Sequence, residues 1–277
     1  MGNRFKYNNI FSREIASTRA AALILGAAAL LSKFLGLIRD RLLAGTFGAG
    51  DTLDVYYAAF QIPDILFTFF LVGAASAAVL PIFLERERAN SEGAEEFISN
   101  LLTVFGILSS ASVLVALVLA PWITGFVAPG FDAVKLSQTV ALTRLMTLNA
   151  VFLGIAGILS SVLQARHRFF VFALPPIVYN LGIISGIVFF APVFGVKGLA
   201  YGVLLGGVTQ VLVLWSALRG MNFHIRPVLN FSDAGLARVA KVSLPRVAAL
   251  SMSQLTLVVL GAIASFFSSG SISVFKL

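Results

Sequence analysis

The 277-residue chain is 58% hydrophobic and only 12% charged, with a net charge of +8 and a mean hydropathy of +0.96. Soluble domains run nearer about 45–50% apolar and about 25% charged, so water cannot be the only solvent and an ordinary soluble enzyme is excluded. With no cysteine, disulfides, thiolate metal sites and a cysteine nucleophile are excluded too.

Residues 1–19 are polar and basic with no cleavage signal after a short apolar run, which predicts a cytoplasmic lead and not a signal peptide. A helical span needs about 20 apolar residues. Candidate spans follow at 20–46, 53–84, 98–127, 134–164, 170–191 and 197–218, then at 237–267, with a further start at 271. The longest polar connections are Glu85–Phe97 and Arg219–Arg238. The expected fold is an all-α polytopic membrane helix bundle. Residues 20–218 form one six-helix transporter lobe, 219–236 a cytoplasmic linker, and 237–277 the start of a second lobe. The last segment is too short to cross a bilayer, and a truncated chain is expected in preference to a re-entrant end.

Lysine and arginine orient the loops. With the N-terminus inside, the inner segments hold Arg4, Lys6, Arg13, Arg19, Arg86, Arg88, Arg166, Arg168, Arg219, Arg226, Arg238 and Lys241. The outer connections hold only Lys135 and Lys197. The positive charge therefore reads as basic cytoplasmic loops, with no nucleic-acid partner. Gly182, Gly186, Gly198, Gly202 and Gly206 recur at four-residue spacings that let helices approach closely in lipid. Pro63, Pro81, Pro175, Pro176 and Pro245 sit in or at the edges of spans, where each removes a backbone donor. The acidic run Glu85, Glu87, Glu92, Glu95 and Glu96 reads as a solvated loop face.

The first span carries charges where lipid would forbid them. At about 100° per residue, Ala29, Ser32, Lys33, Gly36, Arg39 and Asp40 share an arc of roughly 120°. Leu31, Phe34, Leu35, Ile38 and Leu42 fill the other side. A cation in mid-membrane costs about 2.5–3.5 kcal/mol on insertion scales, so this face suits a hydrated internal cavity with Asp40 and Asp54 as counter-charges. The competing reading ends the span near Gly36 and lets Arg39 and Arg41 snorkel outward. It is the better one for Arg41, which lies off the arc. Arg144, Arg246 and Lys276 either line the same cavity or pair near a span end. His167 and His224 lie far apart and do not make a metal site. No catalytic triad, carboxylate pair or phosphate loop can be assembled, so neither an enzyme nor a cofactor is expected.

The stretches "SKFLGLIRDRLLAGTFGAGDTLDVYYAAFQIPDIL" and "GAASAAVLPIF" carry a family likeness. They resemble the start of the MurJ (MviN) lipid II flippases, of the multidrug/oligosaccharidyl-lipid/polysaccharide exporter superfamily. The likeness continues more loosely through "SLPRVAALSMSQLTLVVLGAIASFFSSGSISVF". It implies two six-helix lobes, usually with two more helices for a lipid tail, working by alternating access in the bacterial cytoplasmic (inner) membrane. It implies an undecaprenyl-diphosphate-linked peptidoglycan precursor as partner, membrane lipids around it, and a coupling ion or the membrane potential as driving force. Ser32, Lys33, Arg39, Asp40 and Asp54 match cavity positions of that family, and Asp64, Ser76, Arg144 and Arg246 complete the candidate substrate-binding set. Lys33 stands where the family usually has arginine. Phe67, Thr68 and Val72 stand where it commonly has basic residues and a glutamate, which leaves open an exporter of another polyprenyl-diphosphate-linked glycan or of an organic cation. An inactive membrane remnant is the third reading. "AGTFGAG" (Ala44–Gly50) and "ASFFSSG" (Ala264–Gly270) share alanine, phenylalanine and glycine at a fixed offset, which suits a second lobe beginning near residue 235.

Overall fold

Helices begin where a side chain can take up free backbone N–H groups, and the caps set most boundaries here. The computed structural model describes residues 17–74 and 78–276. Ser17 caps α1 (Thr18–Phe47) by accepting from the Ala20 N–H. Gly48, at φ +68°, makes the turn that ends it. The span expected at 53–84 is two helices, α2 (Asp51–Ala74) and α3 (Val79–Ala89). Pro81 falls in the first turn of α3, where a missing N–H costs no intrahelical bond.

The polar connection after it is largely helical. Asn90 alone separates α3 from α4 (Ser91–Val127), accepting from the Glu92 N–H at 3.0 Å. α4 therefore starts seven residues before the expected span at 98. Asp132 caps α5 (Ala133–Thr147) through the Lys135 N–H, and a break at Leu148 leads into α6 (Asn149–Ala165). The expected span 170–191 is a composite of α7 (Phe169–Phe172), α8 (Pro175–Ser185), a π-helical turn (Gly186–Phe190) and α9 (Ala191–Phe194). Pro192 cannot donate back into the preceding turn, and the π turn absorbs the missing bond. Then come α10 (Val196–Gly220), α11 (Ala234–Ala264), capped by Asp233, and α12 (Ser271–Lys276).

Among the described residues, six helical stretches are long and apolar enough to cross a membrane. They are Thr18–Phe47, Ser91–Val127, Ala133–Ala165, Pro175–Phe194, Val196–Gly220 and Ala234–Ala264. The described part of α2, with Asp51, Asp54 and Asp64, is not among them. The chain is a multi-pass all-α membrane protein. Its outer faces confirm the solvent: Leu114, Val118, Trp122 and Phe126 make an exposed stripe at four-residue spacing down α4.

α8 and α10 pack closest. A Cβ on Gly186 would fall 2.7 Å from the Gly202 Cα, so the backbones touch there and only glycine fits. One core cluster gathers Phe83, Phe97, Ile98, Leu159, Leu163, Leu214 and Phe223. A second gathers Leu43, Leu53, Tyr56, Met146, Ile183 and Leu199.

Residues 222–233, read as a linker, run as an extended strap along α4. The Arg226 N–H donates to Ser99 Oγ, the Val228 N–H to Thr103 Oγ1 and the Asn230 N–H to Asn100 Oδ1. Asn100 Nδ2 donates back to the Asn230 carbonyl at 2.8 Å. Two of the acidic-run carboxylates depart from a solvated face: Glu87, partly buried, pairs with Arg166, and Glu95, partly buried, lies 3.6 Å from His224, while Glu85 pairs with Arg238 and stays exposed.

Candidate functional site

A cavity of about 730 Å³ opens among α1, α2, α6, α8, α10 and α12. Each wall is one helical face. α2 contributes Tyr56, Tyr57, Phe60, Asp64 and Phe67, and α6 contributes Leu153, Gly157, Ser160 and Gln164, both at three- and four-residue spacing. α8 adds Pro176 and Tyr179, α10 adds Gln210, and α1 adds Arg39, Asp40 and Leu43.

Arg39 is the organised charge. Its Nε donates to Asp40 Oδ1 at 2.9 Å and its Nη2 lies 2.8 Å from the same oxygen. Its Nη1 donates to Asn180 Oδ1 at 3.1 Å. Asn180 in turn donates through Nδ2 to the Ser32 carbonyl and hydroxyl, both at 3.3 Å, and to the Pro176 carbonyl. Asn180 thus ties α1 to α8 and fixes the guanidinium from behind. The side chains of Arg39 and Asp40 stay 29% and 33% exposed, so part of the pair still faces open space. A guanidinium held this way can offer donors to an anion. Lys276 lines the cavity as a second cation, close enough to Asp64 to interact with it electrostatically.

Of the sequence-derived site residues, Arg39, Asp40 and Asp64 meet at this cavity. Ser32 reaches it only through Asn180. Lys33 is exposed on α1 and does not line it. It lies six residues before Arg39, about 9 Å lower at the rise of an α-helix. Arg144 is exposed and donates through Nε to the Leu117 carbonyl of α4, and Arg246 is exposed on α11; neither lines the cavity. Ser76 lies outside the described residues. Thr68 accepts from Gln254 of α11 at 3.1 Å.

Asp54 faces elsewhere. Only 3% exposed, it accepts from the Gly270 N–H at 2.7 Å, the Ser273 N–H at 2.8 Å and the Ser273 hydroxyl at 2.6 Å. It holds the first turn of α12 against α2. Around it, the Gly130 N–H donates to Ser265 Oγ and Lys135 pairs with Asp51 at 2.6 Å. These contacts clasp the turn between α11 and α12 at the end of the bundle away from the arginine-rich loops.

Sequence reasoning did not single out Tyr56, Tyr57, Tyr179, Asn180, Gln164 or Gln210. The polar spacing of Ser160 and Gln164 on an otherwise apolar helix was an available signal. Asn180 offered none, because its partners are about 140 residues away in the chain.

The cavity, largely apolar but with charged and amide groups on its walls, lies within a multi-pass membrane helix bundle, and that architecture has solved counterparts. A MOP superfamily transporter from Pyrococcus furiosus aligns with a TM-score of 0.64 at 17% identity, over 93% of this chain and 56% of that one. The family of the lipid II flippase MurJ matches residues 43–277, and the chain belongs to it. It is 32% identical over 256 residues to the probable lipid II flippase MurJ of Rhizobium tropici, covering 87% of this chain and 47% of the relative. The lipid II flippase MurJ of Burkholderia cenocepacia is 30% identical, with 91% and 51% covered. The structure of a lipid II flippase MurJ in an inward closed conformation aligns with a TM-score of 0.73 at 26% identity, over 91% of this chain and 52% of that one. The chain spans about half the length of the curated relatives it matches.

Proposed function

We propose that this chain supplies the N-terminal six-helix lobe and the start of the second lobe of a lipid II flippase. It sits in the bacterial cytoplasmic membrane with its N-terminus inside. The observation that carries the reading is Arg39, half-engaged at the wall of a membrane-embedded cavity in a chain of this family. The diphosphate of the undecaprenyl-linked precursor replaces Asn180 as a partner of the guanidinium, and Lys276 adds the second positive charge. Asp40 keeps Arg39 aimed while the site is empty. The clasp around Asp54 closes the opposite end, and its release opens the cavity outward in an alternating-access cycle. A coupling ion or the membrane potential drives the cycle. Arginines gathered at one end of the described bundle, Arg86, Arg166, Arg219 and Arg238, support the inside assignment.

The second-lobe reading is supported by the two echoed turns, which abut. Gly270, at φ +91°, packs on the Ala49 backbone, and Ser269 lies beside Gly50. Equivalent turns meeting face to face are what two lobes related by a pseudo-two-fold axis produce.

One observation favours a second reading within the same superfamily. The charged groups lining the cavity balance, Arg39 and Lys276 against Asp40 and Asp64. A substrate without a strongly anionic head group, such as an organic cation, suits that balance. Rescue of a flippase-depleted strain by the full-length protein separates the two, since only the first reading gives rescue. Arg39→Ala then abolishes that rescue if the diphosphate reading holds, and full rescue by the variant at normal expression overturns it. Competition binding of lipid II against other polyprenyl-diphosphate sugars then identifies the preferred head group.

A further inference from the structure

A second hollow, of about 390 Å³, lies where α10 ends and the strap begins. Trp215, Arg219, Asn222, Phe223, His224 and Arg226 surround it. This end of the bundle is rich in arginines whose charge is satisfied within the protein: Arg86 with Asp233, Arg166 with Glu87, Arg238 with Glu85. The hollow differs. Among the described residues neither Arg219 nor Arg226 has a carboxylate partner, and both are exposed. Arg219 instead lies over the Trp215 ring, 5.6 Å from its centroid. Glu95 faces His224 at the rim, 3.6 Å away.

The hollow lies at the C-terminal end of the spanning helix α10. Leu212, one turn deeper on α10 than Trp215 and Ser216, is 59% exposed, as a lipid-facing residue would be. On the strap, Leu229 and Phe231 are 55% and 68% exposed although the segment is polar. The strap is held to α4 by its Arg226, Val228 and Asn230 N–H groups, which leaves these two apolar side chains on the outside. Apolar side chains placed outward at that level need an apolar medium, and tryptophan concentrates at the headgroup level.

We propose that this hollow binds the phosphate of an anionic membrane phospholipid, with Arg219 and Arg226 as donors, Trp215 at headgroup depth and the strap anchored in the interface by Leu229 and Phe231. Two guanidiniums without carboxylate partners, one of them over a tryptophan ring, suit a phosphodiester, and basic pockets at the ends of spanning helices select anionic head groups. The volume is at the lower end of the ~300–1,000 Å³ range of small-ligand sites, enough for a phosphoglycerol head group. The site is separate from the cavity at Arg39, so it stands whatever substrate that cavity carries.

The test uses the chain's own fluorescence. Trp122 and Trp215 are its two tryptophans, and Trp122→Phe leaves the hollow's tryptophan alone. The protein is reconstituted in phosphatidylcholine vesicles with equal mole fractions of brominated phosphatidylglycerol or brominated phosphatidylcholine. Quenching by phosphatidylglycerol exceeds that by phosphatidylcholine, and each of Arg219→Gln and Arg226→Gln lowers the preference about fivefold. Lys241→Gln, at the same end but outside the hollow, leaves it unchanged. Equal quenching by both lipids overturns the proposal without any arginine variant. An equal loss in Lys241→Gln overturns it as general surface charge. Displacement of the brominated lipid by inorganic phosphate alone overturns it in favour of a free-anion site.

Discussion

Arg39 and Asp54 are both charged residues in an apolar chain, and their surroundings give them opposite roles. Arg39 keeps 29% of its side chain exposed and has one acid, Asp40, beside it. Replacing its cation by alanine removes hydrogen bonds to a charged group, each worth about 1.5–3 kcal/mol, so a diphosphate ligand should bind about 10- to 100-fold more weakly by direct binding assay. Asp54 has all its bonds inside the protein. Asp54→Ala should lower the thermal midpoint in detergent through a loss of about 1–3 kcal/mol, because three donors around α12 lose their acceptor. Ligand affinity at the Arg39 cavity should change far less than in Arg39→Ala. Asp51, at the turn between α1 and α2, is held below the usual carboxylate range by the hydrogen bond from Lys135 and then by Ser269. Its contribution is complete at neutral pH and fades as pH falls through that lowered value, so Asp51→Asn should flatten the acid limb of the stability profile. The seven-residue spacing of Ser32 and Arg39 was legible, since both meet Asn180. The place of Lys33 was not, because angle alone does not give height along the axis. Asp54 could be read as buried charge but not as a clasp, its partners being more than 200 positions away.

Elements were legible in their apolar cores and illegible at their ends. The spans expected at 20–46 and 197–218 differ from α1 and α10 by one or two residues at each end. The polar run before 98 concealed the start of α4, because Asn90 caps a helix whose first turns carry glutamates. Residues 222–233 look like a flexible connection by composition. Ser99, Asn100 and Thr103 convert them into a strap by giving each alternate N–H a partner. Asn100→Ala leaves both backbone groups of Asn230 without that partner, so the Asn230 amide should lose hydrogen-exchange protection while α4 amides keep theirs. The glycine spacing on α8 and α10 was legible as packing. Gly186→Val should cost at least about 1–3 kcal/mol by overpacking, read as a lower unfolding midpoint, since the atom it meets is the Gly202 backbone.

On the scale of the whole molecule, the chain puts its charged network at one end, its clasp at the other and the Arg39 cavity between helices that join them. The apolar exterior and the loop charges made the multi-pass architecture readable from sequence. The cavity was readable at its charged groups, Arg39 and Asp40 of α1 and Asp64 of α2, but not at the tyrosines and amides that α2, α6 and α8 contribute, which composition does not distinguish from core. The central claim is that this cavity is hydrated and receives an anionic head group beside Arg39. The chain has no cysteine, so a single cysteine can be placed at will. The most direct measurement is the labelling of Asp64→Cys by a charged, water-soluble thiol reagent in membranes, with and without lipid II, against Leu37→Cys on the lipid-facing side of α1. Asp64→Cys should label and be protected by lipid II, while Leu37→Cys should not label. Labelling at Leu37→Cys with none at Asp64→Cys, or labelling at Asp64→Cys that saturating lipid II leaves untouched, would contradict the account.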